Sequence, residues 1–210
     1  MKKITRKKHL EMRLQSVPAH PKPKVGLEQY TTPSVIASDL IWNAYSLGDI
    51  DDRDIVDLGC GTGVFAIGSA LMGANSSVGI DIDEDSIGLA NEVKDKLKLT
   101  NLNFIVSDID DFNESLNVDT VFQNPPFGSQ KRADSGQDLR FIQKAIELKT
   151  EVLYSFHMQS TEDFLMKYYE DNGFEITHIF RYKFPIPKIY DFHTKEKQNV
   201  DVIVIRAILK

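Results

Sequence analysis

Short apolar runs alternate with amphipathic segments through the middle of the chain. Five runs rich in β-branched or aromatic residues have the length of buried strands, and they cover residues 54–58, 78–81, 102–106, 118–122 and 152–156. Most of the segments between them carry apolar residues three and four positions apart, which predicts helices. Strands that alternate with helices form a parallel sheet, because each helix carries the chain back so that the next strand runs in the same direction.

The pattern differs at the two ends of the chain. Near the C-terminus, a helix over 160–171 precedes two apolar runs, 174–182 and 200–209, joined only by a long loop that contains two prolines. Strands joined without a helix pair antiparallel. Near the N-terminus, we expect a helix around 10–17 and a second over 33–46 with Thr32 as its N-cap. The prediction is an α/β fold with a seven-stranded, mostly parallel sheet, a C-terminal antiparallel hairpin and helices on both faces.

Charge is distributed unevenly. The net charge of −6 argues against general coating of nucleic acid. However, residues 1–24 hold eight Lys or Arg and one acid, and residues 181–197 hold five Lys or Arg and two acids. Residues 49–119 between them hold sixteen acids and four bases. Basic ends around an acidic middle indicate one localised surface for a polyanion, or else ordinary solvated helix and loop surface.

Composition excludes several classes of protein. The chain contains no run of 18 apolar residues, so it has no predicted transmembrane helix. Its basic start lacks the apolar region of a secretory signal. The single cysteine, Cys60, excludes an intrachain disulfide and fits a reducing, cytoplasmic location. No Cys/His cluster has zinc spacing, so we expect no metal.

A glycine loop follows the first predicted core strand and opens a helix. Gly59, Gly61 and Gly63 alternate with other residues, but Val64 departs from the dinucleotide pattern G-x-G-x-x-G, and the lysine of a phosphate-binding P-loop is missing. Small residues with Asp57 just before them suit a ligand with an amino-acid end. Glycine N–H groups can approach a carboxylate, while Asp57 can receive an ammonium directly or through water.

Two further aspartates end the next two strands. Asp81 lies 24 residues after Asp57, the place from which a carboxylate accepts bonds from ribose hydroxyls. Asp108 ends the third strand, where it can accept a bond from an adenine amino group. An ammonium, a carboxylate, a ribose and an adenine without phosphate describe S-adenosylmethionine (SAM). Strand-tip aspartates that merely cap loops are the alternative.

A proline-rich motif ends the fourth strand. Asn124, Pro125, Pro126 and Phe127 follow an apolar run, and two prolines cannot continue a sheet ladder. An aromatic amine is a poor nucleophile because its lone pair is delocalised. The Asn124 side-chain oxygen and the Pro125 carbonyl can hold its hydrogens, and Phe127 can stack on the base. The motif predicts methyl transfer to a planar amino group, with a simple proline turn as the alternative.

These segments resemble the methyltransferase-like protein 5 family, which methylates N6 of an adenosine in small-subunit ribosomal RNA. The motifs that carry the resemblance are Leu27-Glu28-Gln29-Tyr30-x-Thr32, Asp57-Leu58-Gly59-Cys60-Gly61-x-Gly63, Asp81-Ile82-Asp83-Glu84-Asp85, Asn124-Pro125-Pro126-Phe127-Gly128 and Phe192-His193-x-Lys195. The resemblance implies one domain over 1–210 with a Rossmann-like class I methyltransferase fold. Residues 1–32 would form a helix and a segment covering the cofactor, and 33–210 the catalytic core.

The resemblance also implies roles for individual residues. SAM becomes S-adenosylhomocysteine, and its expected binding residues are Gln29, Tyr30, Thr32, Asp57, Gly59, Gly61, Gly63, Asp81, Ile82, Asp108, Ile109 and Asn124. The expected catalytic residues are Asn124, Pro125, Pro126 and Phe127, and the expected RNA contacts are Phe127, His157, His193 and Lys195. A buried, satisfied histidine is the alternative for His157.

An unguarded strand edge predicts a partner. In the doubly wound order the third strand lies at a sheet edge, and residues 103–106 contain neither Pro nor Lys to blunt it. The resemblance implies the same, because eukaryotic relatives work with a small zinc-containing activator protein that docks by strand pairing. We therefore expect such a protein along residues 102–107.

Other functions stay open at this point. The motif around Asn124 also occurs in enzymes that methylate glutamine in release factors or adenine in DNA, but these usually carry an additional domain, for which about 50 residues before the first core strand leave little room. A catalytically silent SAM-binding ribosome-assembly factor would be expected to lack Asn124 or Asp57. Both residues are present.

Overall fold

The computed structural model describes residues 4–21, 23, 31–112, 117–126, 137–187 and 197–210. Its strands are β1 (Asp54–Leu58), β2 (Ser76–Asp81), β3 (Leu102–Val106), β4 (Thr120–Gln123), β5 (Val152–Met158), β6 (Phe174–Pro187) and β7 (Lys197–Leu209). Its helices are α1 (Lys7–Leu14), α2 (Ser34–Ser46), α3 (Val64–Leu71), α4 (Glu84–Leu97), α5 (Gln137–Glu147) and α6 (Glu162–Asp171), and a 3₁₀ turn, Gln159–Thr161, precedes α6.

The seven strands form one sheet in the order β3-β2-β1-β4-β5-β7-β6. The first five are parallel, and β7 lies antiparallel between β5 and β6. This arrangement confirms the predicted mostly parallel sheet with its C-terminal hairpin. The strand order reverses between β1 and β4, so the crevice at their carboxyl ends is where an α/β sheet of this kind binds its ligand.

Helices cover both faces of the sheet, as the apolar central strands require. Buried side chains of α1, α2, α3 and α4 pack on one face, and those of α5 and α6 pack on the other. On the first face, Phe65, Phe122 and Tyr154 stack in series with ring centroids 5.5 and 4.9 Å apart. This rigid packing fixes β4 and β5, whose tips enter the ligand crevice.

The C-terminal hairpin is longer than the sequence pattern predicts. The loop expected from 183 to 199 is wrong at both ends, because β6 runs to Pro187 and β7 starts at Lys197. Pro185 and Pro187 lie inside β6 and pair with Asn199 and Lys197. They are tolerated because β6 is an edge strand, where a missing N–H need not leave a neighbouring strand unpaired.

The start of α2 also differs from expectation. The helix begins at Ser34 with Pro33 at the N-cap position, and none of the side chains that the structure describes caps it. Thr32 is therefore not the N-cap, and its hydroxyl instead bonds Asn124 at the tip of β4. The first helix ends at Leu14 rather than near Val17, although Val17 is still buried in the core.

Within the described residues, every helix is too short or too polar to cross a membrane.

Candidate active site

The glycine loop between β1 and α3 takes a shape that other residues rarely adopt. Gly59, Gly61 and Gly63 have φ angles of 65°, 53° and 85°, in the left-handed region that glycine enters without steric cost. The loop is held by a bond from the Cys60 N–H to the Ile80 carbonyl, 3.0 Å. The Gly63 N–H bonds the Cys60 carbonyl at 2.8 Å, so the loop forms a closed turn where the strand order reverses.

Replacing Gly63 with alanine is expected to destabilise the fold. A Cβ there would lie 2.6 and 2.7 Å from ring atoms of Phe104, so left-handed strain and overpacking together should cost about 2–3 kcal/mol in unfolding free energy. Urea denaturation measures the change. Gly88→Ala is the control, since a Cβ at Gly88 meets nothing within 4 Å and alanine favours the helix by about 1 kcal/mol. Equal effects at the two positions would contradict this account.

Asp57 lies buried beneath the glycine loop. Its Oδ2 accepts a bond from the Ala66 N–H in the first turn of α3, 2.9 Å. Burial raises the pKa of this carboxyl to about 8, and the nearby charge of Asp81 acts in the same direction. A buried carboxyl that is protonated at neutral pH gains a charge readily when a cation arrives beside it.

Asp81, at the tip of β2, is already fixed by the backbone. Its Oδ2 accepts the Gly61 N–H at 2.7 Å and its Oδ1 accepts the Asp83 N–H at 2.8 Å. Each carboxylate oxygen keeps a second lone pair for a hydroxyl group. Burial raises the pKa of Asp81. Ile82, the next residue, is 52% exposed and provides an apolar surface at the rim.

The Asp108 carboxylate carries a partner that the sequence does not indicate. Arg140 of α5 donates to Asp108 Oδ1 and, at 2.7 Å, to Asp110 Oδ2. The Asp110 N–H also donates to Asp108 Oδ1 at 3.0 Å. Arg140 lies 32 residues from Asp108, and a helical arginine has no local signal that would have pointed to this contact. The neighbouring Ile109 is buried.

Asn124 follows β4 at the crevice, and its two amide atoms have different environments. Its Nδ2 donates to Thr32 Oγ1 at 3.1 Å. Its Oδ1 is buried and, among the residues that the structure describes, has no hydrogen-bond partner. Buried acceptors are normally satisfied. An open, oriented acceptor next to Pro125 is what a ligand N–H requires.

The N-terminal segment reaches the rim of the same site. The His20 Nε2 lies 3.2 Å from Asp83 Oδ2, and Asp83 precedes the first residue of α4. Side-chain atoms of His20, Asp83 and Asp85 that could bind a metal ion lie within 4.8 Å of one another. Asp83 is already engaged within the protein, because it also accepts a bond from the Ser86 hydroxyl at 3.0 Å. The sequence analysis missed His20, because no pattern marks a histidine 63 residues before its partner.

His157 does not face the crevice. It is 1% exposed, its Nδ1 lies 3.3 Å from Asp138 Oδ2, and its Nε2 lies 3.2 Å from Tyr169 Oη. With both ring nitrogens engaged, the residue fits the buried-histidine alternative and not the expected RNA contact. The correction has a simple cause: β5 extends to Met158, so His157 lies inside a strand rather than at its tip.

The predicted site residues therefore fall into two groups. The structure brings the glycine loop, Asp57, Asp81, Asn124 and Thr32 to the crevice, with Asp108 at the end of the neighbouring strand. Ile82, Ile109, Pro125 and Pro126 follow these strand tips directly, and His157 is buried away from them. Five predicted residues lie outside the described residues, and their roles stay predictions: Gln29, Tyr30, Phe127, His193 and Lys195.

Comparison with known proteins agrees with this geometry. The family pattern described as "Methyltransferase domain" matches residues 51–153. The rRNA N(6)-adenosine-methyltransferase METTL5 of Danio rerio is 35% identical and covers 95% of this chain and 97% of its own. An uncharacterised protein of Methanocaldococcus jannaschii is 42% identical over 97% of this chain and 94% of its own. The solved structure of a candidate RNA methyltransferase from Pyrococcus horikoshii is 37% identical, with a TM-score of 0.86 over 98% of both chains.

Proposed function

The chain belongs to the METTL5 family of rRNA N(6)-adenosine methyltransferases, and we propose that it transfers a methyl group from SAM to the N6 amine of an adenosine in ribosomal RNA. One observation carries the chemistry. The buried Asn124 Oδ1 has no partner among the described residues, which leaves this acceptor available for an N–H of the substrate. The proposal that the substrate is RNA rests on the family to which the chain belongs.

The described residues fit SAM. The glycine loop carries no side chains at Gly59, Gly61 and Gly63, so the carboxylate of the SAM amino-acid end can approach its backbone, and Asp57 beneath the loop would pair with the ammonium. Asp81 keeps lone pairs for the ribose hydroxyls while two backbone bonds hold it still. Asp108 would accept a bond from the adenine amine, next to Arg140. SAM supplies an activated methyl group on sulfur, so this chain needs only to bind, orient and exclude water.

The protein's part in the transfer is to hold the amine. Asn124 Oδ1 and the Pro125 carbonyl each accept one N–H of the adenosine amine, which favours a more tetrahedral nitrogen with its lone pair directed at the methyl group. When bound, SAM would supply the methyl group from its sulfonium, and S-adenosylhomocysteine would be the leaving group. The methylated nitrogen is acidic and releases one proton to solvent, so no strong general base is required. Thr32 sets the amide orientation by accepting from Asn124 Nδ2.

The substrate proposal is tested with labelled SAM. Small and large ribosomal subunits, naked rRNA, DNA and a release factor are incubated with the enzyme, and the label is located by digestion and chromatography. We expect N6-methyladenosine in small-subunit rRNA, the target that the family resemblance implies. Label only in protein, or only in DNA, would contradict the proposal, and binding of SAM with no transfer to any of them would favour a silent assembly factor.

Cofactor affinity should depend on pH through Asp57. The carboxyl, with a pKa of about 8, is protonated at pH 7 when the site holds no cation, whereas the SAM ammonium favours the carboxylate. Binding should therefore release a proton, and affinity should rise between pH 6 and 8 by up to about tenfold per pH unit. Calorimetry in buffers of different ionisation enthalpy measures the proton release. Asp57→Asn should bind more weakly and lose the pH dependence, and a flat wild-type profile would contradict the assignment.

We also propose a strand-pairing partner at β3. This strand is one of the two edges of the sheet, Asn103 is exposed, and Val106 is 49% exposed. A small zinc-containing activator protein, implied by the family resemblance, would add its strand there. Co-expression followed by size-exclusion chromatography tests this, with Val106→Pro as the variant that should abolish pairing, because alternate residues of β3 bond β2 and the Val106 N–H faces the open edge. Unchanged activity and stability on adding the partner would count against it.

An rRNA substrate and the single buried Cys60 support our placing the enzyme in the cytoplasm.

A further inference from the structure

Two cations on α5 hold the turn that follows β3. Arg140 donates to Asp108 Oδ1 and, from Nε at 2.7 Å, to Asp110 Oδ2. Lys144, one helical turn later, is 6% exposed and donates to the Phe112 carbonyl at 3.3 Å. The turn is therefore attached to α5 at both of its ends. Arg140 meets side chains of the turn, and Lys144 meets its backbone.

The backbone of this turn is fixed without Arg140, but the Asp108 carboxylate is not. The Asp108 carbonyl accepts the Asp111 N–H at 3.2 Å and the Phe112 N–H at 3.1 Å. The last side-chain torsion of an aspartate is soft and roughly two-fold, so the carboxylate needs contacts of its own to keep one orientation. The Asp110 N–H, which donates to Oδ1 at 3.0 Å, and the Arg140 guanidinium supply them.

Both of these bonds end on the same oxygen of Asp108. Oδ1 accepts from Arg140 and from the Asp110 N–H, while Oδ2 receives no bond from the residues that the structure describes. The side chain is 30% exposed, so a ligand can reach it. A carboxylate oxygen accepts hydrogen bonds and cannot donate them. Oδ2 is thus suited to a ligand amine.

The charge of Arg140 keeps two carboxylates together that would otherwise repel each other. Asp108 and Asp110 lie two residues apart, within the stretch 49–119 that holds sixteen acids and four bases. A guanidinium presents its donors in a rigid fork, so one arginine sets the distance and the orientation of both carboxylates at once. Removing the cation leaves like charges side by side, and the Asp108 carboxylate should then turn while the backbone of the turn stays closed.

We propose that Arg140 is a positioning residue for cofactor recognition, which fixes Asp108 so that its Oδ2 accepts the 6-amino group of the SAM adenine. This inference rests on the proposed function, because it takes SAM as the ligand of the crevice. Arg140 acts through Asp108 and takes no part in the methyl transfer itself. Its effect should therefore appear in the preference of the protein for the amine of the cofactor.

Binding of two ligands tests the role of Arg140. Calorimetry compares S-adenosylhomocysteine with its analogue that carries hydrogen in place of the 6-amino group. Wild type should bind S-adenosylhomocysteine about tenfold or more tightly than the analogue, because the analogue lacks a hydrogen bond to a charged acceptor. In Arg140→Ala, affinity for S-adenosylhomocysteine should fall about tenfold and affinity for the analogue should stay within about twofold of wild type, so that most of the preference disappears.

Arg53→Ala is the matched control. Arg53 precedes β1 at the amino ends of the parallel strands and also lies between two carboxylates, 4.0 Å from Asp119 and 3.8 Å from Glu151. This variant should keep the wild-type preference for the amine. Arg140→Gln replaces Arg140→Ala if the alanine variant does not fold.

Three results would overturn the inference. The first is equal weakening of both ligands in Arg140→Ala, since a purely structural role lowers affinity without changing the preference for the amine. The others are a full preference in Arg140→Ala and a wild-type protein that binds both ligands equally. Transfer from labelled SAM to small-subunit rRNA separates the two proposals. If wild type methylates the RNA but shows no preference for the amine, only the role of Arg140 fails. If it binds neither ligand and transfers no methyl group, the proposed function fails with it.

Discussion

Asn124→Ala is expected to reduce methyl transfer by about 10²–10³-fold, the effect of removing one oriented group that acts on the transition state. The side chain supplies the buried acceptor Oδ1, and its Nδ2 is bonded to Thr32 at 3.1 Å. In the proposed mechanism Asn124 holds the reacting amine, so kcat should carry most of the loss, and SAM affinity measured by calorimetry should change by less than about tenfold. Single-turnover transfer of labelled methyl groups to small-subunit rRNA measures the rate.

Two further variants define what Asn124 contributes. Asn103→Ala removes an exposed asparagine from β3 and should leave the rate unchanged. Thr32→Val keeps the volume of the side chain but removes the hydroxyl that accepts from Asn124, so the amide can turn and the rate should fall by less than in Asn124→Ala. Near-wild-type activity of Asn124→Ala would refute the amine-holding mechanism. A loss confined to SAM affinity would reassign the residue to cofactor binding.

The second large effect is on stability and comes from a buried ion pair. Arg206 of β7 donates to both oxygens of Asp49, from Nε at 2.7 Å and from Nη2 at 2.8 Å. The side chains are 8% and 6% exposed, and Tyr154 also bonds Asp49. Asp49→Ala would leave an uncompensated buried guanidinium, so the free energy of unfolding should fall by about 3–5 kcal/mol. Urea denaturation at pH 7 measures it.

A double variant separates the value of the pair from the penalty of breaking it. Asp49→Leu combined with Arg206→Met removes both charges, and its loss should be well below the sum of the two single losses. Arg181 provides the exposed comparison, since it makes a bidentate pair with Glu162 with both bonds at 2.7 Å. Arg181→Ala should change stability far less. Equal losses at the buried and exposed pairs would contradict the burial argument.

Local chemistry made much of this molecule predictable from its sequence. The parallel strands show as short apolar runs, and the residues that end them, Asp57, Asp81 and Asn124, gather because carboxyl ends of parallel strands share one edge. The glycine loop is equally local, since its three positive φ angles belong to one short segment. The fold class and the core of the candidate site follow from these patterns.

The remaining features depend on contacts between distant residues. Arg140 meets Asp108, and His20 meets Asp83, across 32 and 63 positions with no periodic signal. Thr32 has the sequence of an N-cap, but the tertiary contact with Asn124 prevails over local helix chemistry. A proline such as Pro185 usually indicates a loop, because it cannot donate to a sheet ladder. It is acceptable in β6 because this strand lies at the sheet edge. The role predicted for His157 is wrong for a similar reason. β5 continues through His157 and Met158, because both residues pair with β7.

The position of β7 has a consequence for how the chain folds. Although it is the last strand in chain order, it lies inside the sheet between β5 and β6, and Arg206 on it joins Asp49 from 157 residues away. During synthesis the parallel strands can assemble first, but β5 then keeps an open, apolar edge until residues 197–209 are made. The sheet closes only after residues 197–209 have emerged, so the exposed edge of β5 is open to pairing with another chain until then.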